Sequence, residues 1–268
     1  MNGTVYAMAS KLLLAVLGVL LGALAPALAA EPRLVDAGLG VVREVPDGRT
    51  LVLADGRVVR LAGLGAPAAP AAGASCPAGT PFAATAKDAL ASLVLGRTVR
   101  LRVSGTGLDR YGRLVAQVFD QERWIQAELV RAGLGRVESV TEHRGMILAM
   151  QEIEDVARAA HLGIWSDSRF AVRSAGETNR YLNRFEIVEG VVVAADQIGG
   201  RVYLNFVPDW RSDFTVSVAP ADVRAFKREG MDLLAMAGKR VRVRGWIRAY
   251  NGPVIDVTHP EQIQVLGP

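Results

Sequence analysis

The sequence predicts a mainly β chain with added helices, an α+β protein made of two small five-stranded barrels in series. Three observations predict this. Short β-branched runs are punctuated by Asp-Gly and Gly-rich turns in both halves, each half interrupts its strands with helical stretches, and a polar, aperiodic segment divides them. Half of the 268 residues are hydrophobic and 22% are charged, which suits folded domains with cores of their own.

The first half opens with "GLGVVREVPDGRTLVLADGRVVRLAGLG", where Asp47-Gly48 and Asp55-Gly56 cut three short runs into a meander. Apolar residues crowd together in "RVVRLAGL", as in a strand buried on both sides. A Pro-Ala-Gly loop runs from Pro67 to Gly79. Thr80-Pro81 suits the N-cap and first position of a helix that spaces Phe82, Ala86, Leu90 and Leu93 along one face and stops at Gly96. "RTVRLRVS" alternates, with Val99, Leu101 and Val103 opposite Thr98, Arg100 and Arg102. "LDRYGRLVAQVFD" reads as a turn and a strand. Two amphipathic helices follow: "RWIQAELVRAG", closed by Gly133, and "RGMILAMQEIEDVARAAHLGIW", with Met146, Met150, Ile153 and Ala157 as its apolar stripe and Gly163 as its stop.

"SDSRFAVRSAGETNRY" lacks periodicity, so residues 167–184 read as a linker between a first domain at 31–166 and a second at 185–268. The second domain gives strand, strand, strand, a helical stretch from Asp222 to Met236, then two strands. That is the order of a Greek-key barrel of the OB type, and the first half shows the same order with two helices appended.

Ahead of both, Lys11 precedes "LLLAVLGVLLGALAPALAA", which closes on small residues at Ala27 and Ala29. Residues 1–30 therefore read as a secretory signal peptide, with an uncleaved anchor as the alternative. The expectation is a periplasmic or secreted protein with no stable membrane span after cleavage. Cys76 is the only cysteine, so an intramolecular disulfide is excluded. His143, His161 and His259 are scattered without metal-ligand spacing. The net charge of +4 is too small a surplus to argue nucleic-acid binding by itself.

"PDGRT", "VRLAGLGAP", "DRYGR", "ELVRAGLGRV" and "ARAAHLGIW" stand in an order and spacing that resemble the thermonuclease family, typified by staphylococcal nuclease, over about residues 38–166. The resemblance implies an OB barrel and calcium-dependent hydrolysis of DNA and RNA. It also implies that Arg60 and Arg113 match the two arginines that grip the scissile phosphate. Guanidinium suits that role because it forks onto phosphate oxygens and stays charged while the transition state gains negative charge.

The remainder of the family's site departs from its pattern. Where the family runs Asp-Thr-Pro-Glu, this chain has Gly65, Ala66, Pro67 and Ala68. Gly65 replaces a calcium-binding aspartate and Ala68 replaces the carboxylate that activates water. Arg49 replaces a second metal aspartate in "DGRT". Calcium wants roughly six to eight oxygen ligands, and neither glycine nor arginine supplies one from its side chain. A guanidinium about 4 Å from a divalent ion costs several kcal/mol even at an effective dielectric of about 20. A missing general base alone costs on the order of a hundredfold to ten-thousandfold in rate. No cofactor is expected unless the calcium site is rebuilt from other acids, for which Asp47 and Asp109 are the candidates.

In the second domain Arg240, Arg242 and Arg244 alternate with valines, and Trp246, Arg248 and Tyr250 follow. That pattern fits either a surface that holds a nucleic-acid single strand or a solvated barrel exterior; ten basic residues balance ten acidic ones from Phe185 onward. "YLNFVPDWRSDFTVSV" also resembles a segment found beside bacterial thermonuclease domains, which implies no defined activity. Three functions stay open. The first is an impaired nuclease homologue that keeps an arginine cleft for single-stranded DNA or RNA, or another phosphate-bearing ligand. The second is an active metal-dependent nuclease with a rearranged site. The third is a non-enzymatic envelope module for protein contacts, whose partner the sequence does not name.

Overall fold

A computed structural model describes residues 34–67, 81–207 and 214–267. The expected signal peptide, Ala68, Cys76 and the loop from residue 68 onward lie outside the described residues. Among the described residues no helix is long and apolar enough to cross a membrane.

The first domain runs β1 (Val35–Asp47), β2 (Thr50–Leu53), β3 (Val58–Leu61), β4 (Leu64–Gly65), α1 (Phe82–Val94), β5 (Thr98–Val103), β6 (Leu114–Asp120), β7 (Arg123–Trp124), α2 (Ile125–Arg131), β8 (Arg136–Val137) and α3 (Arg144–Ala159). Strand β1 is long enough to serve two neighbours: Val35–Val41 pair with β5, and Val42–Asp47 pair with β2. β2 pairs antiparallel with β3, β3 runs parallel to β6, and β6 returns antiparallel to β5. The pairings close on themselves as a five-stranded barrel. The alternation in β5 does what its pattern predicts, burying Val99, Leu101 and Val103.

After the first domain come β9 (Arg173–Ser174), β10 (Arg184–Val191), β11 (Ala194–Ile198), β12 (Arg201–Asn205), β13 (Thr215–Val218), α4 (Pro220–Arg228), β14 (Arg240–Ala249), β15 (Pro253–Val257) and β16 (Ile263–Val265). β10 pairs with β14 and β11 with β12, as two halves of one bent strand. At the bend Val192 N donates to Lys239 O at 2.9 Å and Val193 N to Asn205 O at 2.8 Å, so no hydrogen-bonding position is skipped. β12–β13 antiparallel, β13–β15 parallel and β15–β14 antiparallel complete the order already seen in the first barrel. Among the described residues, one α-helix crosses between the third and fourth strands of each. The OB topology is thus present twice.

Three local expectations need correcting. The linker at 167–184 is a packed connector: it forms 3-10 turns at Ser168–Phe170 and Ala175–Tyr181, adds β9 beside β10, and buries Phe170 and Arg173. A reciprocal capping box between Ser174 and Glu177 orders it, and such caps need no hydrophobic period. The helical stretch expected to reach Met236 stops at Arg228, because Gly230 takes φ +74° and a separate turn forms at Leu234–Met236. In α3 the predicted stripe of Met146, Met150, Ile153 and Ala157 is met in part: Met150 and Ala157 are buried and Ile153 packs on the core, but the buried face also takes in Ile147, Gln151 and Glu154.

The inward position of Gln151 and Glu154 follows from what covers α3. Arg244 of β14, 2% exposed, reaches Glu154 at 2.9 Å and the carbonyl of Val137 at 3.0 Å. The other oxygen of Glu154 accepts from Val137 N at 2.6 Å. Around this centre Arg136 meets Glu186 at 3.3 Å, Arg242 meets Asp155 at 3.1 Å, and Gln151 donates to the carbonyl of Glu261 at 2.7 Å. Arg144 binds Glu229 and Glu261, which raise its guanidinium above the ordinary value, burial opposing. The two barrels share an ionic interface. Removing one partner of a buried pair leaves an uncompensated charge, so Glu154→Gln should lower stability by about 3 kcal/mol in urea unfolding. A change below about 1 kcal/mol would show that the interface tolerates the loss.

Candidate functional site

The site lies where the β1–β2 hairpin, β3, the turn before β6 and the chain just after β8 meet. Asp47 shapes the hairpin tip: its carboxylate accepts from Arg49 N at 2.8 Å and from Thr50 Oγ1 at 3.1 Å. A Cβ at Gly48 would stand 2.7 Å from the Ala86 methyl, so only glycine lets the tip pack on α1. The turn delivers Arg49, whose side chain sits over the barrel end. Arg60 arrives from β3, held in register by Thr50 on one side and Val115 on the other.

Arg113 is delivered the same way. Asp109 accepts from the backbone of Tyr111 at 2.9 Å and of Arg113 at 3.0 Å, and from Arg113 Nε at 2.7 Å. Burial alone would raise the Asp109 carboxyl, but these hydrogen bonds outweigh it and hold the group below the usual aspartate range. The exposed Tyr111 ring lies between Arg110 at 4.8 Å and Arg113 at 5.2 Å. Burial, with Arg49 next, pushes the Arg60 guanidinium below its ordinary value; Glu138 and Asp47 oppose this and Arg113 adds to it. Arg49, Arg60 and Arg113 therefore act within one local field, and Arg60 still remains protonated at neutral pH.

The sequence reading missed the acid beside them. Glu138 follows β8 and places Oε2 at 3.4 Å from Arg60 and Oε1 at 3.9 Å from Arg49. β8 pairs with β4, and Glu138 N donates to Gly63 O at 2.9 Å, which brings the carboxylate over Gly65. A Cβ on Gly65 would come within 2.5 Å of Glu138 Oε1. Gly65 is thus more than a lost ligand: its missing side chain is the space Glu138 occupies. Seventy-eight residues separate Glu138 from Arg60, and no local pattern marks it.

The donor set does not fit calcium. Gly65 and Ala66 offer no side-chain oxygen, and the carboxylates of Asp47 and Asp109 are engaged by the turns they close. Glu138 faces two guanidiniums. Among the described residues no three His, Cys, Asp or Glu side chains gather as a metal site.

The arginine strip of the second domain is placed elsewhere. Arg244 is buried against Glu154, Arg242 is held by Asp155 and Glu189, and exposed Arg240 also pairs with Glu189. Its two inner members belong to the domain interface and not to an open nucleic-acid surface, because α3 covers that strand face. Trp246 is 40% exposed, but it stands without the row of free arginines that a stacking strip would need.

With this geometry in view, residues 58–167 match the family model described as "Staphylococcal nuclease homologue". The chain is 34% identical over 137 residues to "Probable endonuclease LCL3" of Verticillium alfalfae, which covers 48% of this chain and 46% of that protein. It is 33% identical over 87 residues to an "Uncharacterized endonuclease" of Haemophilus influenzae, covering 32% of this chain and 46% of the relative. An "Uncharacterized 38.1 kDa protein" of Capnoides sempervirens is 28% identical over 140 residues, 52% of this chain and 37% of the relative. The chain thus spans less than half the length of each of these relatives.

The close fit of Glu138 over Gly65 gives a direct test by double-mutant cycle. Gly65→Ala should displace the carboxylate, and the cost should largely vanish in a Glu138→Ala background, giving a coupling of about 0.5–3 kcal/mol in chemical unfolding. Additive effects would place Glu138 away from Gly65 in solution.

Proposed function

Because residues 58–167 match the staphylococcal nuclease homologue model, we propose that this protein binds the phosphate backbone of a single-stranded nucleic acid in an Arg49–Arg60–Arg113 cleft and lacks that family's calcium-dependent hydrolysis. The observation that carries the reading is the convergence of three guanidiniums on a barrel end whose carboxylates face arginines or turn amides. Separations of 3.4 and 3.9 Å to Glu138 exceed the roughly 2.7–2.9 Å of a charge-assisted hydrogen bond. A phosphate oxygen can therefore make shorter contacts to Arg60 than Glu138 does. The N-terminal apolar run supports placing this activity outside the cytoplasm.

Arg60→Ala and Arg113→Ala should each weaken oligonucleotide binding by about tenfold and reduce its salt dependence by about one phosphate contact, measured by fluorescence polarisation across a salt series. Hydrolysis assays with calcium, manganese or chelator should show no metal-stimulated cleavage. Chelator-sensitive cleavage that disappears in Arg60→Ala would favour the rearranged nuclease instead.

Rebuilding the metal site requires clearing Glu138 as well as restoring acids. Arg49→Asp, Gly65→Asp and Ala68→Glu combined with Glu138→Ala should create calcium binding visible by calorimetry, whereas the triple variant that keeps Glu138 should bind more weakly. Equal calcium affinity in the two would remove Glu138 as an obstacle.

A further inference from the structure

We propose that the cleft prefers RNA to DNA, and that Glu138 makes the distinction by accepting a hydrogen bond from a ribose hydroxyl beside the bound phosphate. This rests on the phosphate-binding reading above. The argument begins with what each group can do. Guanidiniums only donate, so Arg49, Arg60 and Arg113 serve phosphate oxygens, which only accept. An ionised carboxylate only accepts. It cannot contact phosphate favourably, so beside a phosphate it is useful only toward a proton donor.

Glu138 is arranged as such an acceptor. The side chain is 20% exposed; Oε1 is buried and stands 3.9 Å from Arg49, whereas Oε2 makes one long contact, 3.4 Å to Arg60, and keeps a lone pair for a further donor. A half-buried carboxylate oxygen whose one contact is long is under-satisfied, and a ligand hydroxyl that donates to it completes its hydrogen bonding. The carboxylate is also held in place. Immediately before it, Val137 is fixed through N by Glu154 at 2.6 Å and through O by Arg244 at 3.0 Å. Gly65 supplies the space beneath it. RNA presents a 2′-hydroxyl one carbon away from the phosphate-bearing 3′ position. DNA presents hydrogen there and offers Glu138 no donor next to an anion.

The test compares decamers of oligo(rU), oligo(dU) and 2′-O-methyl oligo(rU) on the full chain in chelator, read by fluorescence polarisation at one salt concentration. Wild type should bind the RNA about tenfold more tightly than either analogue, since one charge-assisted hydrogen bond is at stake. Glu138→Ala should bind DNA more tightly than wild type does and show an RNA-to-DNA ratio near one. Equal affinities in wild type, a 2′-O-methyl strand that binds like RNA, or a preference that survives Glu138→Ala would overturn the proposal. The 2′-O-methyl arm keeps the test decisive even where the variant fails to fold. Failure of the phosphate reading itself looks different: no strand would then show affinity that Arg60→Ala weakens.

Discussion

Glu154 stands at the centre of the molecule in both senses. Its carboxylate has no solvent exposure, and its two oxygens face different domains: one accepts from Val137 N in the first barrel, the other from Arg244 in the second. Arg244 then closes the loop by donating to the carbonyl of Val137. Such buried pairs are weak sources of net stability, since desolvation offsets most of the attraction, but a misplaced partner is severely unfavourable. The pair therefore acts mainly on register. It fixes how α3 lies against β14, and through Val137 it fixes β8, its pairing with β4, and the direction in which Glu138 leaves the sheet. The candidate site belongs to the first barrel, yet one wall of it is positioned by the second.

The acids around the candidate site divide into two kinds. Asp47 and Asp109 close the turns that present Arg49 and Arg113, so each works as scaffolding for a cation. Glu138 closes no turn and caps no helix; it projects over a glycine between two guanidiniums. A count of charges alone would call the region neutral. Geometry separates carboxylates whose hydrogen bonds hold a turn from one that holds none.

Much of the fold was legible because its determinants are local. Alternation in β5, glycine turns at Asp47-Gly48 and Asp55-Gly56, and one helix between the third and fourth strands of each half all lie within short windows, and the OB order follows from them. Arg60 and Arg113 were legible because "VRLAGLGAP" and "DRYGR" are compact motifs. What escaped notice depends on contacts between distant segments. The polar side of α3 carries Gln151 and Glu154, which look solvated until β14 is placed against them. Arg242 and Arg244 look like an open basic strip for the same reason. The connector at 167–184 is ordered by a capping box and by single buried residues, Phe170 and Arg173, which carry no period to detect.

The small net charge of +4 takes on a different meaning once the ion pairs are assigned. Arg136, Arg144, Arg173, Arg242 and Arg244 all face acids inside the molecule, so their charge contributes little to the field a distant polyanion would feel. Long-range steering of a nucleic acid is correspondingly weak, and screening at physiological ionic strength shortens what remains to about 8 Å. On the proposed reading, recognition then depends on contact geometry: which donors reach which phosphate oxygen, and which acceptor is left for a hydroxyl. A site of that kind would discriminate between similar ligands better than it gathers them, because the groups that would select are half-buried and held in place, while many other arginines are already paired.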